Sequence, residues 1–294
     1  MRVFLRNDYE TLSLFAAEYL ISLLKTKEPG EFLNVALPCG YTVQRMYAIL
    51  GEKVKAKEIS LANLRVFHID EFLDLPKKYK EHQQIQWMHD NLYSKVRKKG
   101  YAHRTILTHV DIKPENVHYL NPERADGDFT TECTSFEDLI KSHGSLDLTF
   151  FGTGADGHVA RNEPGSSLKS ESRITKLAYD TRVQLSSRWN IPLAEVPERA
   201  LTMGISTLFQ SSNVLVLFTG VSRSRALEMC LEKSVNHMFP VSAFQKHNNC
   251  TFAADEPATY ECRVKTVNYF KGIEKTSEEV FGDPIHGRKR RAGM

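Results

Sequence analysis

A short apolar run, Leu146, Leu148, Phe150 and Phe151, stops at Gly152-Thr153-Gly154. A run of that length bounded by glycine suits a strand buried on both faces. Glycine then lets the backbone take positive φ and turn sharply. Two carboxylates and an imidazole follow within eight positions: Asp156, His158 and Glu163. Ligands of open α/β sheets collect in the crevice at the carboxyl ends of the strands. An imidazole between carboxylates at that place suits proton transfer near neutral pH, because the carboxylates orient the ring and hold its charge. A polar surface loop with a satisfied histidine fits the same spacing.

Around this segment the chain alternates strand and helix. Residues 2–5, 34–37, 64–69, 213–219 and 251–254 read as strands, and 8–24, 43–50 and 222–233 as helices. Residues 77–100 read as a polar helix with Trp87, Met88, Leu92 and Tyr93 as its apolar stripe, and 105–121 as a short strand and loops. A helix ends at 138–143, 173–177 is a strand, 181–189 a loop or helix, and 199–209 starts extended and turns helical. Beyond Phe270 the pattern dissolves. Strands alternating with helices predict an α/β fold, a mainly parallel sheet with helices on both faces. The glycine turns at 38–42, 152–154 and 220 then gather on one sheet edge with Asp70.

Three stretches on that edge carry open alternatives. Gly40-Tyr41-Thr42 precedes a helix whose free N–H groups and dipole favour a phosphate, though a plain βα turn has the same residues. Asp70-Glu71 offers a base, a metal ligand or a cap for the next helix. Arg223 and Arg225 oppose the dipole of their own helix, which points either to an anion partner or to two solvated arginines.

Composition excludes some classes. A net charge of +3 is too small to argue for nucleic acid, and no apolar run is long enough to cross a membrane. The five cysteines form no CxxC pair and no zinc spacing, and an odd count of scattered thiols points to a reducing, cytoplasmic compartment. The first ten residues are broken by charges and show no signal-peptide pattern. The basic stretch 287–291 reads as a solvated tail, with a targeting or anion-binding segment as the alternative.

The segment 152–168 resembles the G-x-G-x-D-G-H-I-A-F-N-E-P signature of the glucosamine-6-phosphate deaminase (isomerase) family. The chain is similar to that family also at 67–72, 196–208, 235–247 and 255–271, in family order, so the resemblance covers residues 1–271 as one domain and leaves 272–294 as a basic tail. It implies a Rossmann-like fold and hydrolytic deamination of an aminosugar 6-phosphate, without cofactor, by a homo-oligomer (trimer or hexamer). It implies Asp70 as the base moving a proton between C2 and C1, and His158 as the ring-opening group with Asp156 and Glu163 as its partners.

The departures fall mainly on phosphate binding. The family's L-P-T-G-G-T-P turn reads Leu37-Pro38-Cys39-Gly40-Tyr41-Thr42-Val43, with Tyr41 in place of a glycine. Arg223 stands where the family has lysine. The family's phosphate arginine falls on Ser187, with Arg188 one place along. Arg161 replaces a phenylalanine and is expected to supply charge to the phosphate or to reshape the sugar pocket. For the effector site, Ser166 and Arg173 match, while the lysine-threonine pair reads Thr175-Lys176. The expected phosphate set is therefore Gly40, Tyr41, Thr42, Arg188 and Arg223. A non-catalytic sugar-phosphate binder and a lactonase-like hydrolase of the same fold, which needs no C2 base, are the competing readings.

Overall fold

The computed structural model describes residues 1–93, 110–124 and 126–281. Seven strands form one parallel sheet: β1 (Arg2–Arg6), β2 (Leu33–Leu37), β3 (Leu64–His68), β5 (Val117–His118), β6 (Leu148–Gly152), β9 (Asn213–Phe218) and β10 (Cys250–Asp255), in the order β1-β10-β9-β6-β2-β3-β5. All pairs are parallel. From β2 the chain winds outward through β3 to β5, returns to β6 beside β2, and winds the other way through β9 and β10. The crevice at the reversal lies at the carboxyl ends of β2 and β6, where both glycine turns sit.

The period of two along the central strands divides the core. Leu148, Phe150, Leu215 and Leu217 face one cluster with α1 (Tyr9–Leu24) and α2 (Tyr41–Lys55). Phe151, Val214, Val216 and Phe218 face the other with α4 (Phe129–Ser142), α6 (Ile205–Phe209) and α7 (Ser224–Glu232). Helices therefore cover both faces, as the alternation predicts. Each such phenylalanine, fully buried, contributes about 1.5–3 kcal/mol. No helix among the described residues is long and apolar enough to cross a membrane.

A second, antiparallel sheet of three strands was not legible in the sequence: β4 (Asp70–Phe72), β8 (Arg199–Thr202) and β7 (Arg173–Lys176), in that order of pairing reversed through β8. Asp70 lies opposite Thr202, and Thr202 opposite Arg173. Phe72, Leu177, Leu185, Ile191, Val196 and Ala200 form its own small core beneath α5 (Tyr179–Trp189).

Two expected elements differ. Residues 77–100 do not form one helix: a 3₁₀ segment (Lys77–His82) leads into α3 (Gln84–Met88) and a single π-helical stretch (His89–Tyr93), and 94–100 lie outside the described residues. Glu71 dictates the break, because it accepts the N–H groups of Gln84 and Ile85 and so fixes where α3 begins. At the other end, α8 (Val264–Phe281) runs past Phe270 and past the expected boundary at 271. Its sequence is too polar to show a stripe, yet Val267 and Phe270 pack on the main core and Glu274 pairs with Arg6 at 2.6 Å. The basic stretch 287–291 lies outside the described residues.

Candidate active site

The turn after β6 is shaped around His158. Its Nδ1 lies 2.7 Å from Asp156 Oδ1, and the Thr153 hydroxyl donates to the His158 carbonyl at 2.9 Å. A Cβ on Gly154 would sit 2.2 Å from His158 Cε1, so only glycine lets the ring fold back onto the turn. Burial raises the Asp156 carboxyl, but the hydrogen bond and charge of His158 outweigh it and leave Asp156 below its ordinary value. An ionised Asp156 accepts a hydrogen bond from Nδ1–H, which leaves Nε2 without a hydrogen-bond partner among the described residues.

Glu163 departs from the expected arrangement. Its Oε2 accepts the Ala178 N–H at 2.7 Å, its Oε1 is buried with no partner, and no hydrogen bond joins it to His158. Among the described residues the imidazole is hydrogen-bonded to Asp156 alone.

The pair Asp70-Glu71 has divided its tasks, as successive residues of a strand must, since their side chains leave opposite faces. Glu71 is buried and holds three backbone N–H groups, those of Phe72, Gln84 and Ile85, each at 2.8–2.9 Å. Burial pushes its pKa up to about 7 against those donors. Glu71 is thus the structural cap, while Asp70, on the other face of the strand, meets side chains instead of backbone N–H groups. Asp70 is 4% exposed. One oxygen, Oδ2, accepts from Arg161 Nε at 2.8 Å and from Gln84 Nε2 at 2.9 Å, while Oδ1 has no hydrogen-bond partner among the described residues. Arg161 does not go to the anion loop: its backbone N–H is held by the Thr202 hydroxyl and its guanidinium lies 4.5 Å over the Phe72 ring.

The anion side is built from three loops. α2 begins at Tyr41 with Gly40 as its N-cap and no side chain capping its first turn. The Tyr41 ring is 63% exposed rather than filling the loop, and Arg188 stands 6.0 Å from its centroid. Gly152 carries no Cβ because Thr42 packs there, where one would lie 2.8 Å from Thr42 Cγ2. Arg223 precedes α7; its Nε donates to the Thr153 carbonyl at 3.3 Å and its Nη1 to Ser222. Burial, then the charge of Arg188, lowers its pKa. Arg188 makes no hydrogen bond within the described residues, so two guanidinium groups sense each other with no carboxylate bonded to either. Arg225 is different: Glu228 takes it at 2.7 Å, which removes it from the anion set.

The two sides join through short contacts. The Cys39 thiol donates to the Gln84 carbonyl at 3.2 Å, and the Gln84 amide reaches Asp70. Sequence reasoning missed Gln84 and Thr202, which hold Asp70 and Arg161 from distant segments. It also assigned nothing to Asp255, which accepts the N–H groups of Gly220 and Ala258 and the Thr219 hydroxyl, and so fixes the loop before Arg223. The acid at the end of a strand was its only signal. Ser166 and Arg173 do meet, at 3.4 Å, with Asn162 taking Arg173 Nη1 at 2.6 Å. Among the described residues no three His, Cys, Asp or Glu side chains are grouped to hold a metal ion.

Comparison with known proteins adds the relationship. The sequence profile of glucosamine-6-phosphate isomerases/6-phosphogluconolactonase matches residues 7–253. The chain is 36% identical over 291 residues to glucosamine-6-phosphate deaminase 2 of Mus musculus, covering 98% of this chain and 99% of that one. It is 39% identical over 280 residues to glucosamine-6-phosphate deaminase of Borrelia hermsii, covering 94% and 97%. A solved monomeric glucosamine-6-phosphate deaminase superimposes with a TM-score of 0.77 at 28% identity, over 88% of this chain and 99% of that one. On the match across residues 7–253 and the near full-length identity, the chain belongs to the family of glucosamine-6-phosphate isomerases/6-phosphogluconolactonase.

Proposed function

We propose that this protein deaminates glucosamine 6-phosphate, with water as co-substrate, to fructose 6-phosphate and ammonia. The observation that supports the reading is Asp70, with Oδ1 free of hydrogen bonds among the described residues, at a strand end of a fold that also holds an imidazole oriented by Asp156 and an arginine pair to which no carboxylate is hydrogen-bonded. Arg188, Arg223 and the N–H groups after Gly40 hold the phosphate. His158 Nε2 takes the O1 hydroxyl proton and returns one to the ring oxygen, which opens the sugar. The C2 hydrogen is then acidified by the carbonyl at C1, and Asp70 Oδ1 removes it. Reprotonation at C1 gives the C2 imine, which water converts to ketone and ammonia. Asp156 holds the imidazole through both proton transfers. Glu163 supports the wall behind it through Ala178. A homo-oligomer, with Ser166 and Arg173 as part of an effector site, belongs to the same proposal.

The Arg161–Asp70 ion pair favours one second reading, a sugar-phosphate binder with slow turnover, because the guanidinium already occupies one oxygen of the carboxylate that the deaminase reaction needs. One experiment separates the two. Purified protein is given glucosamine 6-phosphate while ammonia and fructose 6-phosphate are followed, and binding of the substrate is measured alongside. Equal release of both products supports the deaminase; saturable binding without either product supports the binder.

A further inference from the structure

Arg161 occupies an unusual place for a cation. It sits beside the carboxylate that the proposed function uses as its base, with side-chain exposures of 14% for Arg161 and 4% for Asp70. Three contacts fix it there: Nε on Asp70 Oδ2, the Thr202 hydroxyl on its backbone N–H, and the Phe72 ring beneath its guanidinium. Its Nη1 and Nη2 have no partner within the described residues. No second carboxylate is hydrogen-bonded to Arg161 among the described residues: Glu71 is spent on three N–H groups, Asp156 is held by His158, and Glu163 takes the Ala178 N–H.

An amino sugar brings its own positive charge to this place. Its C2 carries the amine, protonated in water near neutral pH, on the same carbon as the hydrogen that Asp70 must remove. A lone buried carboxylate would attract that ammonium strongly, whereas one already paired with a guanidinium offers almost none of its charge. Resting on the proposed function, we infer that Arg161 is the residue that sets what the pocket accepts at C2: it withholds the charge of Asp70 from a cationic amine, so that a 6-phosphate bearing a neutral 2-hydroxyl binds about as well as one bearing a 2-ammonium group. Arg161 acts through Asp70 and is a positioning residue, also keeping Oδ1 as the oxygen that faces C2.

The test compares two non-reacting ligands by calorimetry at a pH where the amine is protonated: the open-chain 2-amino-2-deoxyglucitol 6-phosphate and glucitol 6-phosphate. Wild type should bind both with similar affinity. Arg161→Met, which keeps the packing on Phe72 and removes the charge, should shift the ratio toward the amine by roughly tenfold to a hundredfold, the scale of one uncompensated neighbouring charge. Arg161→Lys should keep the ratio near wild type, a rescue that a purely structural role for the long side chain would not reserve for the charged variant. Should Arg161→Met fail to fold, Arg161→Gln makes the same comparison. A ratio unchanged by removing the charge would overturn this inference alone. Binding of neither ligand by wild type would overturn the proposed function, and this inference with it.

Discussion

The two ends of the cleft are assembled on opposite terms. At the Asp70 end the charged groups are already answered within the chain: Arg161 and Gln84 on Asp70, three N–H groups on Glu71, Asp156 on His158. At the Arg188–Arg223 end two guanidinium groups lie within electrostatic reach of each other and neither is bonded to a carboxylate. The first arrangement spends its interactions on orientation and leaves one atom free on each reacting group, Oδ1 and Nε2. The second leaves both guanidinium groups without a hydrogen-bonded carboxylate among the described residues, with Asp156 and Asp255 acting on Arg223 only through space, an arrangement that suits an anion. Chemistry and binding are thereby separable, and substitutions at the two ends should divide between turnover and affinity.

The largest effect should come from Asp70→Asn. It is expected to lower kcat by about 10²–10⁴-fold, the usual worth of a positioned base, while the KM measured in the same assay barely moves. His158→Gln should come next, with a loss near the lower end of that range on the closed sugar. Calorimetry with an open-chain analogue should find its affinity almost intact, and an equal loss there would make His158 a binding group.

Arg223→Ala tests the other end. It should weaken phosphorylated ligands by roughly tenfold to a hundredfold, since a charge-assisted bond contributes about 1.5–3 kcal/mol. Arg223→Lys should recover part of the loss, and the kcat of the Ala variant at saturation should stay near wild type. A fall in kcat with unchanged affinity would merge the two ends into one.

Beneath the Asp70 end, His68 is buried at the close of β3, its Nε2 3.1 Å from the Tyr93 hydroxyl. Burial, with a smaller push from His89, lowers its pKa to about 3. The unfolded chain takes up this proton near pH 6.5, and the folded chain only near 3. Its contribution to stability is therefore full above pH 6.5 and is lost as pH falls toward 3. Urea titrations of His68→Gln, which keeps an acceptor for Tyr93, should show a shallower fall in stability over that window, by about 1.4 kcal/mol per pH unit at most. The smallest effect belongs to Arg225→Ala: it removes an ion pair with Glu228 and should leave phosphate affinity within about twofold of wild type, in line with the small worth of a half-exposed pair.

What the sequence shows of this site follows the reach of local patterns. The strand ends are legible because glycine punctuates them, as at Gly40, Gly152 and Gly220, and β6 is legible because four apolar residues fall in six positions. The division of labour between Asp70 and Glu71 is not, because two adjacent acids look alike until a register assigns each a face. That register comes from β8, some 130 residues away, and the pairing of Asp70 with Thr202 leaves no local trace. Arg161 illustrates the same limit. Its charge is visible in the chain, but its partner is 91 positions distant, and only the fold shows that it pairs with Asp70. Arg188 was equally ambiguous until the last turn of α5 placed it above Tyr41.

The central claim is that one ligand spans both ends, and a crystal structure with 2-amino-2-deoxyglucitol 6-phosphate bound tests it most directly. The account predicts phosphate oxygens between Arg188 and Arg223 at the N-terminus of α2, and C2 of the sugar chain within hydrogen-bond reach of Asp70 Oδ1. A phosphate held elsewhere, or a C2 turned away from Asp70, would contradict it.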